Sequence, residues 1–137
     1  MSSDDAPRRG RGRPRRVEAD AEILDAARAL LQAGGYSALS LDEVARRAGT
    51  AKSSIYRRWR SKAALAAEIV EVPPVDDPVR AFDALMNGPM GGVVASLIGE
   101  AQENAETRAI VIELLAPYRQ AGDDALGGIL FRRLLGS

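Results

Sequence analysis

Leu41 to Leu65, LDEVARRAGTAKSSIYRRWRSKAAL, constrain this chain more than any other stretch: they read as two short helices broken at Gly49. Ser40, with Glu43 three residues on, predicts a capping box in which hydroxyl and carboxylate each satisfy an orphaned amide at the start of the first helix. Val44, Ala45 and Ala48 give that helix a narrow apolar stripe of small residues. Gly49 ends it, because glycine takes positive φ without steric penalty. In the second helix Ile55 and Trp59 lie four apart and share the inward face, so Ser53 and Arg57 point the opposite way. With Thr50, Lys52, Ser54, Tyr56 and Arg58 beside them, they offer donors suited to phosphate oxygens and, at Arg57, a guanidinium able to meet a guanine edge bidentately. The pattern is that of a helix-turn-helix whose outer face suits a major groove. The bland alternative is a helical domain whose basic face is merely solvated.

The upstream sequence weighs against that alternative. Ile23, Ala26, Ala27, Leu30 and Leu31 recur at i, i+3, i+4, i+7 and i+8, the apolar stripe of a helix that stops at Gly34-Gly35. Three helices are therefore available for one core. The run AEILDAARALLQAGGYSALSLDEVARRAGTAKSSIYRRWRSKAAL, about residues 20 to 70, resembles without a gap the DNA-binding domain of the TetR (tetracycline-repressor-like) family of bacterial transcriptional regulators. Its most diagnostic part runs from Gly49 to Leu65: a glycine turn, the segment Lys52-Ser53-Ser54-Ile55-Tyr56, an aromatic at Trp59, and Ser61-Lys62 before the next helix. Trp59 stands where phenylalanine is more usual, and Arg60 replaces a frequent proline.

The resemblance implies an all-α fold. Residues 18–71 would form a three-helix DNA-binding domain with a linking fourth helix, and residues 75–137 a shortened helical domain for ligand binding and dimerisation. By the same resemblance Lys52, Ser53, Ser54, Tyr56 and Arg57 would lie along the major groove, and Thr50, which flanks that outer face, is counted with the DNA-binding residues. Ser40 and Lys62 would hold phosphates at helix N-termini, which favour anions in any case. Tyr56 has two readings, a phosphate contact or an aromatic at the edge of the core beside Ile55 and Trp59.

Residues 1–17, MSSDDAPRRGRGRPRRV, hold six arginines with glycine and proline and no apolar periodicity, so they are expected to be disordered when free. Arg11-Gly12-Arg13-Pro14 is similar to the core of an AT-hook, whose guanidinium groups enter a narrow A·T minor groove. Arg11, Arg13, Arg15 and Arg16 are thus either a minor-groove arm or a solvated tail that raises non-specific affinity. The segment is too charged for a secretory signal.

Overall charge conceals this asymmetry. The chain carries 19 basic and 19 acidic side chains, yet residues 1–70 hold 14 and 9 while residues 71–137 hold 5 and 10. The basic half is the one with the motif. Cysteine and histidine are absent, which removes disulfides, thiolate nucleophiles, cysteine-histidine zinc sites and histidine triads together. No glycine-rich phosphate loop, metal site or cofactor is indicated, and an enzyme is the class least expected. No apolar run reaches bilayer-spanning length, so the expectation is a soluble, cytoplasmic protein without a membrane partner.

Two consecutive prolines, Pro73-Pro74, mark the boundary between halves and are expected to end the helix that starts at Ser61. Asp77-Pro78 then opens a short helix through Val79, Phe82 and Leu85 to Met86, interrupted at Asn87-Gly88-Pro89. Val93, Val94, Leu97, Ile98 and Ala101 mark the next helical face, a further pattern runs from Ala109 through Ile112 and Leu115 to Pro117, and a last one spans 125–135. The pattern switches abruptly near Leu85, Ala109 and Gly122, so segments of the family's companion domain are expected to be missing. Glu100, Glu103 and Glu106 could bind a cation, a solvated face being the more ordinary reading. Phe82, Met86, Met90 and Phe131 could line an effector pocket, plain core being more ordinary.

The whole reads as a transcriptional regulator, a ligand-responsive repressor that binds a pseudo-palindromic operator in double-stranded DNA as a homodimer, with a small-molecule effector. A sequence-nonspecific architectural DNA-binding protein and a protein-interaction module are the competing readings.

Overall fold

The computed structural model describes residues 13–72 and 76–121, with side chains from Ala19 to Tyr118 within that span. These residues form α-helices joined by turns, with no strand: α1 (Arg13–Gly34), α2 (Leu41–Ala48), α3 (Lys52–Arg58), α4 (Lys62–Ile69), α5 (Pro78–Met86), α6 (Gly91–Ala101), α7 (Ala105–Leu114) and α8 (Ala116–Ala121). A single turn of 3-10 helix, Tyr36–Ala38, links α1 to α2.

The stripe expected on α1 is the buried one: Ile23, Ala27, Leu30 and Leu31 are all buried, with Ala26 packed beside them. Its N-terminus differs from expectation. The helix begins at Arg13, inside the segment expected to be disordered when free. Pro14 falls in the first turn, where its missing N–H would have had no helical partner anyway, and no breaker follows it. Nothing stops the helix from propagating outward from its packed part.

Ser40 caps α2, its hydroxyl accepting from the Glu43 amide at 3.3 Å. The reciprocal half of the capping box is replaced. Glu43 turns its carboxylate to Arg46 and Arg47, each of which donates Nε at 3.0 Å, because charged donors on the same face hold an exposed carboxylate better than a neutral amide does. Gly49 closes the helix at φ 68° and ψ 36°, and the following Thr50 amide reaches back to the Ala45 carbonyl at 3.0 Å. This left-handed closure reverses the chain toward α3. Ser61 caps α4 through the Ala64 amide at 3.1 Å. That helix ends at Ile69, before the prolines expected to stop it, and residues 73–75 lie outside the described residues.

In the second half Asp77 accepts from the Val79 and Arg80 amides, and Pro78 occupies the first turn of α5, as the sequence predicts. Val93, Val94, Leu97 and Ala101 bury one face of α6. The third pattern is corrected. Asn104 caps the Thr107 amide at 3.0 Å, so α7 begins at Ala105 and not at Ala109, and its buried face is Thr107, Val111 and then Leu115. Ala109 is exposed and Ile112 half-buried. Pro117 stands in the first turn of α8, where it starts a helix instead of closing one. The pattern over 125–135 and Phe131 lie outside the described residues.

The two halves share one buried cluster, in which Ile55, Trp59 and Leu65 of the first join Val94, Leu97 and Val111 of the second. Helix α4 packs on α6 and α7, and α6 also meets the 3-10 turn. Among the described residues no single helix is long and apolar enough to cross a membrane.

Candidate nucleic-acid interface

Helix α3 has one fully buried side chain, Ile55, and Trp59 closes its C-terminal end from inside. Those two pin the helix by a single edge. Everything else on it is offered to solvent: Lys52, Ser53, Tyr56, Arg57 and Arg58 are exposed and Ser54 is half-buried. Tyr56 is 45% exposed, against 6% for Trp59. Thr50, half-buried in the turn, and the exposed Ser40 at the start of α2 flank the same helix pair.

The cations on this face are held differently. Arg57 Nη2 donates to Ser54 Oγ at 3.2 Å, one turn back on its own helix, so its guanidinium keeps further donors for another partner. Lys52 Nζ lies 2.9 Å from Asp42 Oδ1 of α2, and this hydrogen bond and charge raise its pKa. The pair is solvent-exposed and therefore weak, open to exchange for another anion. Arg58 is drawn away from the outer face: Nε donates to Asp20 of α1 at 2.7 Å, and the guanidinium sits 5.2 Å from the centre of the Trp59 ring. It ties α3 to α1. Asp20 and Asp42 carried no sequence signal, because pairing across helices has no fixed spacing along the chain.

Lys62, the first residue of α4, places Nζ 4.4 Å from the centre of the Tyr36 ring. Tyr36 in turn donates its hydroxyl to Glu100 Oε1 at 3.0 Å, and the other oxygen of Glu100 accepts from Thr107 Oγ1 at 2.6 Å. Burial, followed by the hydrogen bond and negative charge of Glu100, pushes the Tyr36 phenol above its usual pKa and keeps it a donor. Sequence reasoning missed this chain of contacts. Its one sequence signal was an aromatic directly after Gly34-Gly35. Glu100 is thereby separated from Glu103 and Glu106, which are exposed beyond the end of α6, and no acidic group among the described residues could hold a metal ion.

Of the arginines expected to form a minor-groove arm, Arg13, Arg15 and Arg16 lie on the first turns of α1 and Arg11 lies outside the described residues. Phe82 packs edge-on against Tyr118, ring centres 5.7 Å apart, and with Met86 belongs to the core periphery. Met90 lines a cavity of about 300 Å³ between α1, α4 and α5, together with Arg28, Gln32, Ile69, Glu71 and Leu85.

Residues 23–69 match the tetR family of bacterial regulatory proteins. An uncharacterized HTH-type transcriptional regulator of Mycobacterium tuberculosis is 36% identical over 102 residues, which is 69% of this chain and 48% of the relative. A counterpart in Mycobacterium bovis gives the same figures of 36% over 102 residues. The HTH-type regulator YdeS of Bacillus subtilis is 44% identical over 55 residues, 40% of this chain and 28% of its own. The chain thus spans about half the length or less of the curated relatives it matches. With the helix pair and its glycine turn in place, residues 23–69 form a helix-turn-helix domain that matches the tetR family of bacterial regulatory proteins.

Proposed function

We propose that this protein is a DNA-binding transcriptional regulator, a repressor that engages a pseudo-palindromic operator as a homodimer and releases it when a small-molecule effector binds the second half. The observation that carries the reading is the asymmetry of α3, fixed from behind by Ile55 and Trp59 while Lys52, Ser53, Tyr56 and Arg57 face solvent. Such a helix can enter a major groove without disturbing the core. Arg57 reads a base edge, Ser53, Ser54 and Tyr56 contact backbone and bases nearby, and Lys52 exchanges Asp42 for phosphate. Ser40, Thr50 and Lys62 hold phosphates on either side. The arginines of the N-terminal segment, Arg11 to Arg16, add charge in the neighbouring groove.

One helix-turn-helix buries too little surface for strong discrimination, so two copies a helical turn apart supply it. An effector acts through its differential affinity for two conformations. About 1–3 kcal/mol of coupling changes DNA affinity 5- to 150-fold. The protein acts in the cytoplasm, with its DNA, and needs no catalytic group.

The test is fluorescence anisotropy against duplex DNA from upstream of its own gene and a scrambled duplex of equal length, across a salt series. A preference of about a thousandfold or more near physiological salt is expected. Equal and salt-labile binding to both would replace the regulator by an architectural DNA-binding protein.

A further inference from the structure

Lys62 occupies an unfavourable place for a cation. At the first position of α4 it faces the positive end of the helix, so in the free protein it adds nothing to that helix. Among the described residues no carboxylate lies within ion-pairing distance of it, whereas Lys52 has Asp42. A lysine stem is flexible, and an ammonium held by nothing would lose that freedom on gripping a phosphate. Here the ammonium lies over the face of Tyr36. That ring is itself fixed at both ends: its backbone sits in the 3-10 turn after Gly35, at φ 78°, and its hydroxyl is anchored on Glu100. Glu100 belongs to the last turn of α6, and the Thr107 hydroxyl from the first turn of α7 holds its second oxygen. Thr107 is the buried polar side chain of the described core, 2% exposed, so its hydroxyl has been taken from water for this bond. A carboxylate accepting from the phenol also enriches the ring face that the ammonium meets.

We infer that Tyr36 is a positioning residue for Lys62, and that Glu100 and Thr107 hold it from the second half of the chain. The phosphate grip of α4 then depends on the α6–α7 hairpin being in place. This rests on the reading above, in which Lys62 takes a phosphate. Motion of α6 relative to the 3-10 turn withdraws Glu100, frees the ring and releases the ammonium. No contact between the second half and DNA is needed.

The test compares Tyr36→Leu, Glu100→Ala, Glu100→Gln and Lys62→Met by two readouts, after thermal melts establish that each is folded. The first needs no DNA: amide hydrogen exchange of residues 36–40 and 61–65. Tyr36→Leu and Glu100→Ala are expected to speed exchange in both segments and leave α3 unchanged, and Glu100→Gln, which keeps an acceptor, to restore most of the protection. The second is anisotropy with the two duplexes. Tyr36→Leu and Glu100→Ala should weaken both duplexes alike, roughly 3- to 10-fold, and have no further effect in the Lys62→Met background.

Losses that persist in that background would assign Tyr36 a merely structural role and overturn the inference, as would unchanged affinity or unchanged exchange at 61–65. If the wild type binds neither duplex, the DNA reading falls by itself. The exchange of residues 61–65 in Glu100→Ala then decides the link from α6 to Lys62 alone. Should Glu100→Ala fail to fold, Tyr36→Phe, which keeps the ring and loses the anchor, takes its place with the same expectations.

Discussion

Two helix pairs in this molecule share one description, a helix, a tight turn and a second helix, yet they use their polar side chains in opposite ways. In α2–α3 the second helix buries Ile55 alone and leaves Lys52, Ser53, Tyr56 and Arg57 outside. In α6–α7 the apolar face is broad, with Val93, Val94, Leu97 and Ala101 on α6, and two polar groups turn inward, Glu100 meeting Thr107 and Tyr36. The first pair is a platform that exposes chemistry; the second spends its hydrogen bonds on holding itself and its neighbour together. What sets α3 apart is therefore how little it buries and how many donors its free face leaves to solvent, since helicity is common to both.

Two glycines, Gly49 in the turn of α2–α3 and Gly91 where α5 leads into α6, test this contrast with the largest expected effect. A Cβ at Gly91, where α6 starts, would stand 1.8 Å from the Met86 carbonyl oxygen and 2.5 Å from its carbon, so the backbones of α5 and α6 would have to part. Gly91→Ala should lose about 3 kcal/mol of stability, at the upper end of overpacking costs. Gly49 has open space around its missing side chain but a φ of +68°, so Gly49→Ala pays strain alone, about 1 kcal/mol. Urea unfolding followed by circular dichroism separates the two. Equal losses would mean that close backbone approach does not distinguish the entry to α6 from the turn of α2–α3.

Two arginines sharpen it at the next level. Arg108 of α7 donates Nε to the Ala101 carbonyl and Nη2 to the Gln102 carbonyl, both at 3.1 Å, and so closes the C-terminal end of α6. Arg57 makes one hydrogen bond within its own helix and otherwise meets solvent. Arg108→Ala should cost about 1 kcal/mol of folding stability and leave DNA affinity within twofold. Arg57→Ala should leave stability within about 0.5 kcal/mol, cost about 1–3 kcal/mol of binding and relax preference at one base step. Equal affinity losses on every duplex for Arg57→Ala would remove its base-reading role.

The same contrast explains what the sequence could disclose. Periodicity and caps made α1 through α6 legible, because Ile23 to Leu31, Ser40, Gly49, Asp77 and Val93 to Ala101 act within one element and at fixed spacing. The outward residues of α3 were legible for the same reason, once Ile55 and Trp59 defined the inner face. Thr107 was not, since a hydroxyl enters a core only when a partner from another helix satisfies it, and that partner, Glu100, lies before the turn. The start of α7 was missed with it. Pairings such as Lys52 with Asp42, Arg58 with Asp20 and Tyr36 with Glu100 join separate elements, and only the packed fold sets their distance. The helical start of α1 was missed because arginine, glycine and proline composition describes a free chain and takes no account of a packed helix ready to extend.

The smallest expected effect concerns Glu43, whose surroundings have no counterpart in the second pair. Hydrogen bonds from Arg46 and then Arg47 hold its carboxyl down from 4.5 to about 2. A depressed carboxylate stabilises the folded state fully above its unfolded value near 4.5 and loses that contribution as pH falls through about 2. The group is solvent-exposed, so screening keeps the contribution small and salt removes much of it. The melting temperature of Glu43→Gln should therefore lie slightly below that of the wild type at neutral pH and low salt. The gap should close between about pH 4.5 and pH 2, and at high salt. A gap that is constant over this range would mean that Glu43 acts by packing or by helix propensity. In that case the exposed arginines of α2 would be unpaired cations, as free to meet phosphate as Arg57.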